Sequence, residues 1–72
     1  TRGMDMSEQT IIYTRLRQKG YGGGRVQVRR LGTGTAIVWL VTIWDRTGQR
    51  PERRLDGVFA EVLGQIATLT AA

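Results

Sequence analysis

The sequence predicts an α+β fold, a helix followed by an antiparallel β-hairpin and a second helix, assembled as a dimer. Three observations lead there. Residues 35–45 are rich in β-branched and aromatic side chains; residues 25–31 alternate apolar with polar; and an apolar stripe at helical spacing runs through residues 55–69. With 72 residues the chain forms one domain, 1–72. A domain this small removes only roughly 60% of its unfolded surface from water, so it gains from outside support. Cysteine and histidine are both absent, which excludes disulfides, thiolate clusters and nearly all transition-metal sites. A partner subunit is the support that remains.

The first helix is expected over Met6 to Lys19. Asp5 and Glu8 have capping-box spacing and Ser7 is a second candidate cap. Ile12 and Leu16 lie one turn apart, with Ile11 nearby, and Gly20 suits a left-handed helix stop onto which Tyr21 folds back. Thr10-Ile11-Ile12-Tyr13-Thr14 also suits a strand. That ambiguity defines a rival architecture: a three-stranded antiparallel meander, with residues 10–18 as its first strand, followed by one C-terminal helix.

Gly20-Tyr21-Gly22-Gly23-Gly24 reads as a loop, since four glycines in five residues do not hold regular structure cheaply. Arg25 to Leu31 follows as a half-buried strand, Gly32-Thr33-Gly34 as a tight turn, and Thr35 to Asp45 as the second strand. Ile37, Trp39, Val41 and Ile43 face one side of that strand, and Val38, Leu40 and Trp44 face the other. Both faces are apolar and both want cover. A lone hairpin with two helices does not readily cover both, so a homodimer that joins strands or packs sheets is expected. After the turn Asp45-Arg46-Thr47-Gly48, Pro51 suits the first turn of a helix. Leu55, Val58, Phe59, Val62, Leu63, Ile66 and Leu69 carry that helix to Thr70, with small residues at Gly57, Ala60, Gly64 and Ala67.

Chemistry is excluded more readily than assigned. Without histidine there is no imidazole base or triad, and without cysteine no thiol nucleophile. Asp45, Glu52, Asp56 and Glu61 stand among arginines or on the outer face of the last helix, as ordinary surface ion pairs do. Gly32-Thr33-Gly34 lacks the third glycine and the following helix of a dinucleotide loop, and Gly20 to Gly24 has no Gly-Lys-Ser/Thr, leaving at most a backbone nest for one phosphate. The chain is expected to be non-enzymatic, with no cofactor and no metal. Trp39 and Trp44 read as core, with a shared ligand pocket between protomers as the lesser reading.

Charge is the functional signal. The net charge is +5, from eleven basic residues, of which Lys19 is the one lysine, against six acidic. No acidic residue occurs from Gln9 to Trp44, where Arg15, Arg17, Lys19, Arg25, Arg29 and Arg30 all fall. Such a stretch attracts polyanions, although arginine enrichment also follows from a GC-rich genome. The expected function is a non-enzymatic module binding nucleic acid, DNA foremost, with those six residues on phosphates and Tyr21 as a stacking surface. The alternative is a small protein-interaction or inhibitor domain that uses the apolar strand and C-terminal helix. No apolar run follows a basic N-terminal stretch, and the longest apolar run is about half a membrane span, so a soluble cytoplasmic protein with no membrane partner is expected.

Ile12-Tyr13-Thr14-Arg15-Leu16-Arg17-Gln18-Lys19-Gly20-Tyr21-Gly22-Gly23-Gly24, followed by Val28-Arg29-Arg30-Leu31, resembles the helix-turn-helix segment of insertion-sequence transposases. The resemblance covers residues 12–31. It implies DNA contact, a mobile-element origin, and a second helix carrying Arg25, Gln27, Arg29 and Arg30. Nothing from Gly32 onward matches a transposase, and its catalytic acidic triad is missing.

Overall fold

The computed structural model describes residues 4–32 and 37–70, the side chains of residues 4–7 excepted. The elements run α1 (Met4–Gln18), a 3₁₀ turn (Gly23–Arg25), β1 (Val26–Leu31), β2 (Val38–Trp44), β3 (Pro51–Gly57) and α2 (Phe59–Ala67). The three strands form one antiparallel sheet in the order β1-β2-β3. The chain is α+β as expected, with a third strand where helix was expected.

Helix wins over residues 10–18 because the helical face carries the burial. Ile12 and Leu16 are fully enclosed, while Ile11, a third of a turn away, is exposed. The helix ends as expected. Gly20 takes φ 93°, its N–H donates to Arg17 O at 3.0 Å, and the Tyr21 N–H donates to Leu16 O at 2.9 Å. This is a Schellman motif with Tyr21 and Leu16 as its apolar pair. The expected capping by Asp5 and Ser7 lies outside the described side chains. Glu8 is used elsewhere: its Oε1 accepts the indole N–H of Trp39 at 3.2 Å. That bond satisfies the one polar atom of a side chain that is 1% exposed.

β2 is the centre of the sheet. Trp39, Val41 and Ile43 face the helices and are joined by Val28 of β1 and Leu55 of β3, with Ile12, Leu16, Val62, Ile66 and Leu69 above them. The register aligns Val28 and Leu55 on opposite sides of Val41. Beyond Gly32, the expected turn and the first residues of the expected second strand, Thr35 and Ala36, lie outside the described residues.

The helix expected from Pro51 is corrected. Residues 51–57 are β3, and the C-terminal helix starts at Phe59. β2 has two edges, and pairing from Trp39↔Gly57 to Trp44↔Pro51 satisfies the second. Proline at the first position of an outer strand loses no ladder bond. Leu55 therefore belongs to the strand, and Val58 is a 47% exposed junction residue. The rival architecture is corrected too: it has the right number of strands, but residues 10–18 are not one of them. Residues 26–31 are a strand rather than the second helix that the transposase resemblance implies.

The sheet edges are occupied from within the chain. The Gln9 amide donates to Val28 O at 3.3 Å, and the Val28 N–H donates to the Tyr13 hydroxyl at 3.4 Å, so α1 closes part of the β1 edge. On the other side the Gln65 amide donates to Asp56 O at 2.8 Å.

The β3–α2 joint depends on Gly57. Its φ is 135°, and a Cβ there would lie 2.6 Å from Glu61 Oε1, the atom that accepts the Val58 N–H at 3.0 Å and caps α2. Gly57→Ala is expected to cost about 1–3 kcal/mol through backbone strain. The result expected in urea unfolding is a lower midpoint with an unchanged slope; an unchanged midpoint would show that the joint does not need glycine.

Candidate functional site

The seven residues singled out by sequence do not share one surface. Tyr21 is 4% exposed and its hydroxyl donates to Thr70 O at 2.7 Å. It ties the Gly20 loop to the end of the chain's last helix, and its ring is enclosed rather than presented for stacking. This is a correction to its expected role, and the cause is the Schellman turn that folds it inward. Arg29 and Arg30 are adjacent on a strand and so point to opposite faces of the sheet. Arg30 shares the helix-side parity of Val28, whereas Arg29 lies on the far face beside Leu40.

The other four cluster at one end of the molecule. α1 and α2 both finish there: the Lys19 ammonium donates to Ala67 O at 3.1 Å, and Tyr21 reaches Thr70. Lys19 thus neutralises the negative end of α2. Arg15 and Lys19, one turn apart, line a groove of about 260 Å³ between the helices with Gln18, Leu63, Ile66 and Ala67. β1 starts at this same end, and its first register pair is Val26↔Ile43. Arg25 is held firmly. Its Nε–H donates to Trp44 O at 3.1 Å, its guanidinium lies 5.6 Å from the Tyr21 ring centre, and it meets Glu52 Oε1 at 3.5 Å.

Sequence reading missed the residues that complete this end. The β2–β3 turn places Arg46 and Arg50 here, exposed. The stretch without acids ended at Trp44, and the assumed helix from Pro51 hid the return of the chain. The turn is built by Asp45. Its Oδ1 accepts the Thr47 hydroxyl at 2.7 Å and the Gln49 N–H at 3.2 Å, its carbonyl accepts the Gly48 N–H at 3.0 Å, and its own N–H donates to Arg50 O at 2.8 Å.

Charge is therefore polar along the strands. The end where both helices finish carries Arg15, Arg17, Lys19, Arg25, Arg46 and Arg50 against Asp45 and Glu52, four net positive charges. Among the described side chains, the far end carries Arg29 and Arg30 against Glu8, Asp56 and Glu61, one net negative. Arg53 and Arg54 lie between, in β3. Among the described residues no group of carboxylates is placed to hold a metal ion, and no helix is long and apolar enough to cross a membrane. Comparison with protein-family models, curated proteins and solved structures finds no match.

The Thr47 hydroxyl chiefly holds the Asp45 carboxyl below its ordinary value; desolvation opposes it, and the backbone N–H groups of Gln49, Arg50 and Gly48 add smaller lowering effects. A lowered folded-state value stabilises the turn above the ordinary aspartate range, and that contribution is lost as pH falls through the lowered value. An NMR titration should find Asp45 deprotonating below an unpaired aspartate, and Thr47→Val should move it upward. An Asp45 midpoint unaffected by Thr47→Val would show that the hydroxyl does not hold the turn.

Proposed function

We propose that the chain is a non-enzymatic nucleic-acid-binding module that contacts the phosphate backbone of DNA through its basic end. The observation that carries this reading is the separation, among the described side chains, of four net positive charges at the helix-finishing end from one net negative charge at the other. A one-sided field of this kind draws in a polyanion and orients it. Arg17, Arg46 and Arg50 are exposed there and suit direct phosphate contact; Arg15 flanks them. Lys19 and Arg25 already serve protein acceptors and contribute mainly charge. Arg29 and Arg30, expected on the same surface from sequence, stand in the far half of β1 and fall outside the contact.

The resemblance of residues 12–31 to a transposase DNA-binding segment points to the same partner and to a mobile-element origin, although β1 stands where it implies a second helix. The reading includes a cytoplasmic setting, where a chain without cysteine forgoes no disulfide. The alternative, a protein-interaction or inhibitor domain using the apolar strand and the C-terminal helix, draws on the face of β2 that no element covers among the described residues.

Binding to duplex DNA is expected to weaken steeply with salt. Replacing Arg17, Arg46 and Arg50 together by Ala should lower affinity and reduce the slope of log affinity against log salt by about 2–3, at about 0.9 per phosphate contact. Arg30→Ala, at the far end, should change it far less. Equal losses from both variants, or a wild-type chain that does not bind, would remove the assignment.

A further inference from the structure

Both helices pack on the Trp39, Val41 and Ile43 side of the sheet. Among the described residues no element lies over the other side. That face is organised in cross-strand rows: Gln27–Thr42–Arg54 and Arg29–Leu40–Asp56, with Leu31–Val38 beyond them and Trp44 at the basic end. Its centre is a strip along β2 of Val38, Leu40, Thr42 and Trp44, all partly or fully buried by their neighbours, and Leu31 is 41% exposed beside it. The charged groups flank the strip, Arg29 on β1 and Arg54 with Asp56 on β3. Neither Arg29 nor Asp56 has an ion-pair partner among the described residues.

We propose that this face docks a second copy of the chain, sheet on sheet, about a two-fold axis parallel to β2. The row pattern selects that axis. Rotation about it lays β1 of one copy over β3 of the other while keeping each row at its own level. Leu40 then meets Leu40, Val38 meets Val38, and Arg29 of each copy faces Asp56 of its partner, giving two identical ion pairs. Gln27 meets Arg54, an amide oxygen against a guanidinium. Sheets packed face to face stand about 10 Å apart, a gap that an arginine and an aspartate span together. An axis across the strands, centred between the two rows, sets Leu40 on Thr42 and leaves Arg29 against Gln27. Strand addition is disfavoured, because Gln9 and Tyr13 occupy the β1 edge, and β3 is charged along its length and bonded to Gln65. The chosen axis also sets the two basic ends side by side. The docking itself does not rest on the nucleic-acid reading.

The experiment is sedimentation equilibrium of the full chain without nucleic acid, with tryptophan emission followed on dilution. Trp39 is enclosed by the helices in either state, so a change in emission reports Trp44. A concentration-dependent dimer is expected, with emission shifting to the red as it dissociates. Arg29→Asp and Asp56→Arg, each at an exposed position, should each weaken association at least about tenfold by placing like charges opposite. The double variant should restore it, and circular dichroism should be unchanged throughout. A chain that stays monomeric to millimolar concentration overturns the proposal. So does a dimer indifferent to Arg29→Asp, or a double variant as weak as the singles. A monomer whose DNA affinity falls with Arg29→Asp would assign the face to nucleic acid instead.

Discussion

Most of this structure follows from the needs of one strand. Val38–Trp44 is apolar on both faces and carries backbone donors and acceptors along both edges, and a 72-residue chain has few elements with which to satisfy them. β1 takes one edge and β3 the other. α1 and α2 take one face, and α1 adds the carboxylate that Trp39 requires once its indole is enclosed. The conversion of residues 51–57 from expected helix to strand is a consequence of the same requirement: an unpaired edge of six residues in the middle of the molecule costs more than the helical propensity of an arginine-rich segment returns.

The parts legible in sequence were those where one local signal had no competitor. Gly20 followed by Tyr21 gave the end of α1, and the period of Arg25 to Leu31 gave β1. The two-sided character of β2 was plain from Val38, Leu40 and Trp44 against Trp39, Val41 and Ile43. The third strand was not legible because its evidence is non-local. Leu55 fits the helical stripe of Val62 and Ile66 as well as it fits a strand, and only the register with Val41 decides between them. Gly57 was the available clue, a glycine read as a small residue within a helix that in fact marks the joint between two elements.

The same non-locality governed the site. A run of basic residues in sequence is not a basic surface, since a strand sends alternate side chains to opposite faces and a tight turn can fold an aromatic inward. Arg29 and Arg30 were separated by the first effect and Tyr21 was withdrawn by the second. In their place the sheet brought Arg46 and Arg50 to the end of the molecule at which α1 finishes, residues some thirty positions away in sequence. Part of the charge there also has a structural role: Lys19 sits on the last turn of α2, and Arg15 and Arg17 lie in the last turn of α1, where cations offset the helix dipole. Arg46 and Arg50 have no such helix to serve. At this end of the molecule, the β2–β3 turn therefore carries arginines that no helix terminus uses.

That division bears on how the two surfaces relate. The basic end is set by where β1 begins and β2 turns into β3; the open face is set by the pleat of the same strands. Neither can be moved without moving the other. A two-fold axis along β2 leaves both basic ends pointing the same way, whereas an axis across the strands would place them at opposite ends of the dimer. In the proposed pair the charge polarity of one protomer would become a larger field of the same sign, at two patches whose spacing is fixed by the sheet-to-sheet distance. In the proposed dimer, two phosphate-contacting ends held at that spacing would engage one polyanion with the gain of effective concentration rather than as two independent events. The central strand, through the face its own helices leave bare, would then set both the assembly and the geometry of recognition.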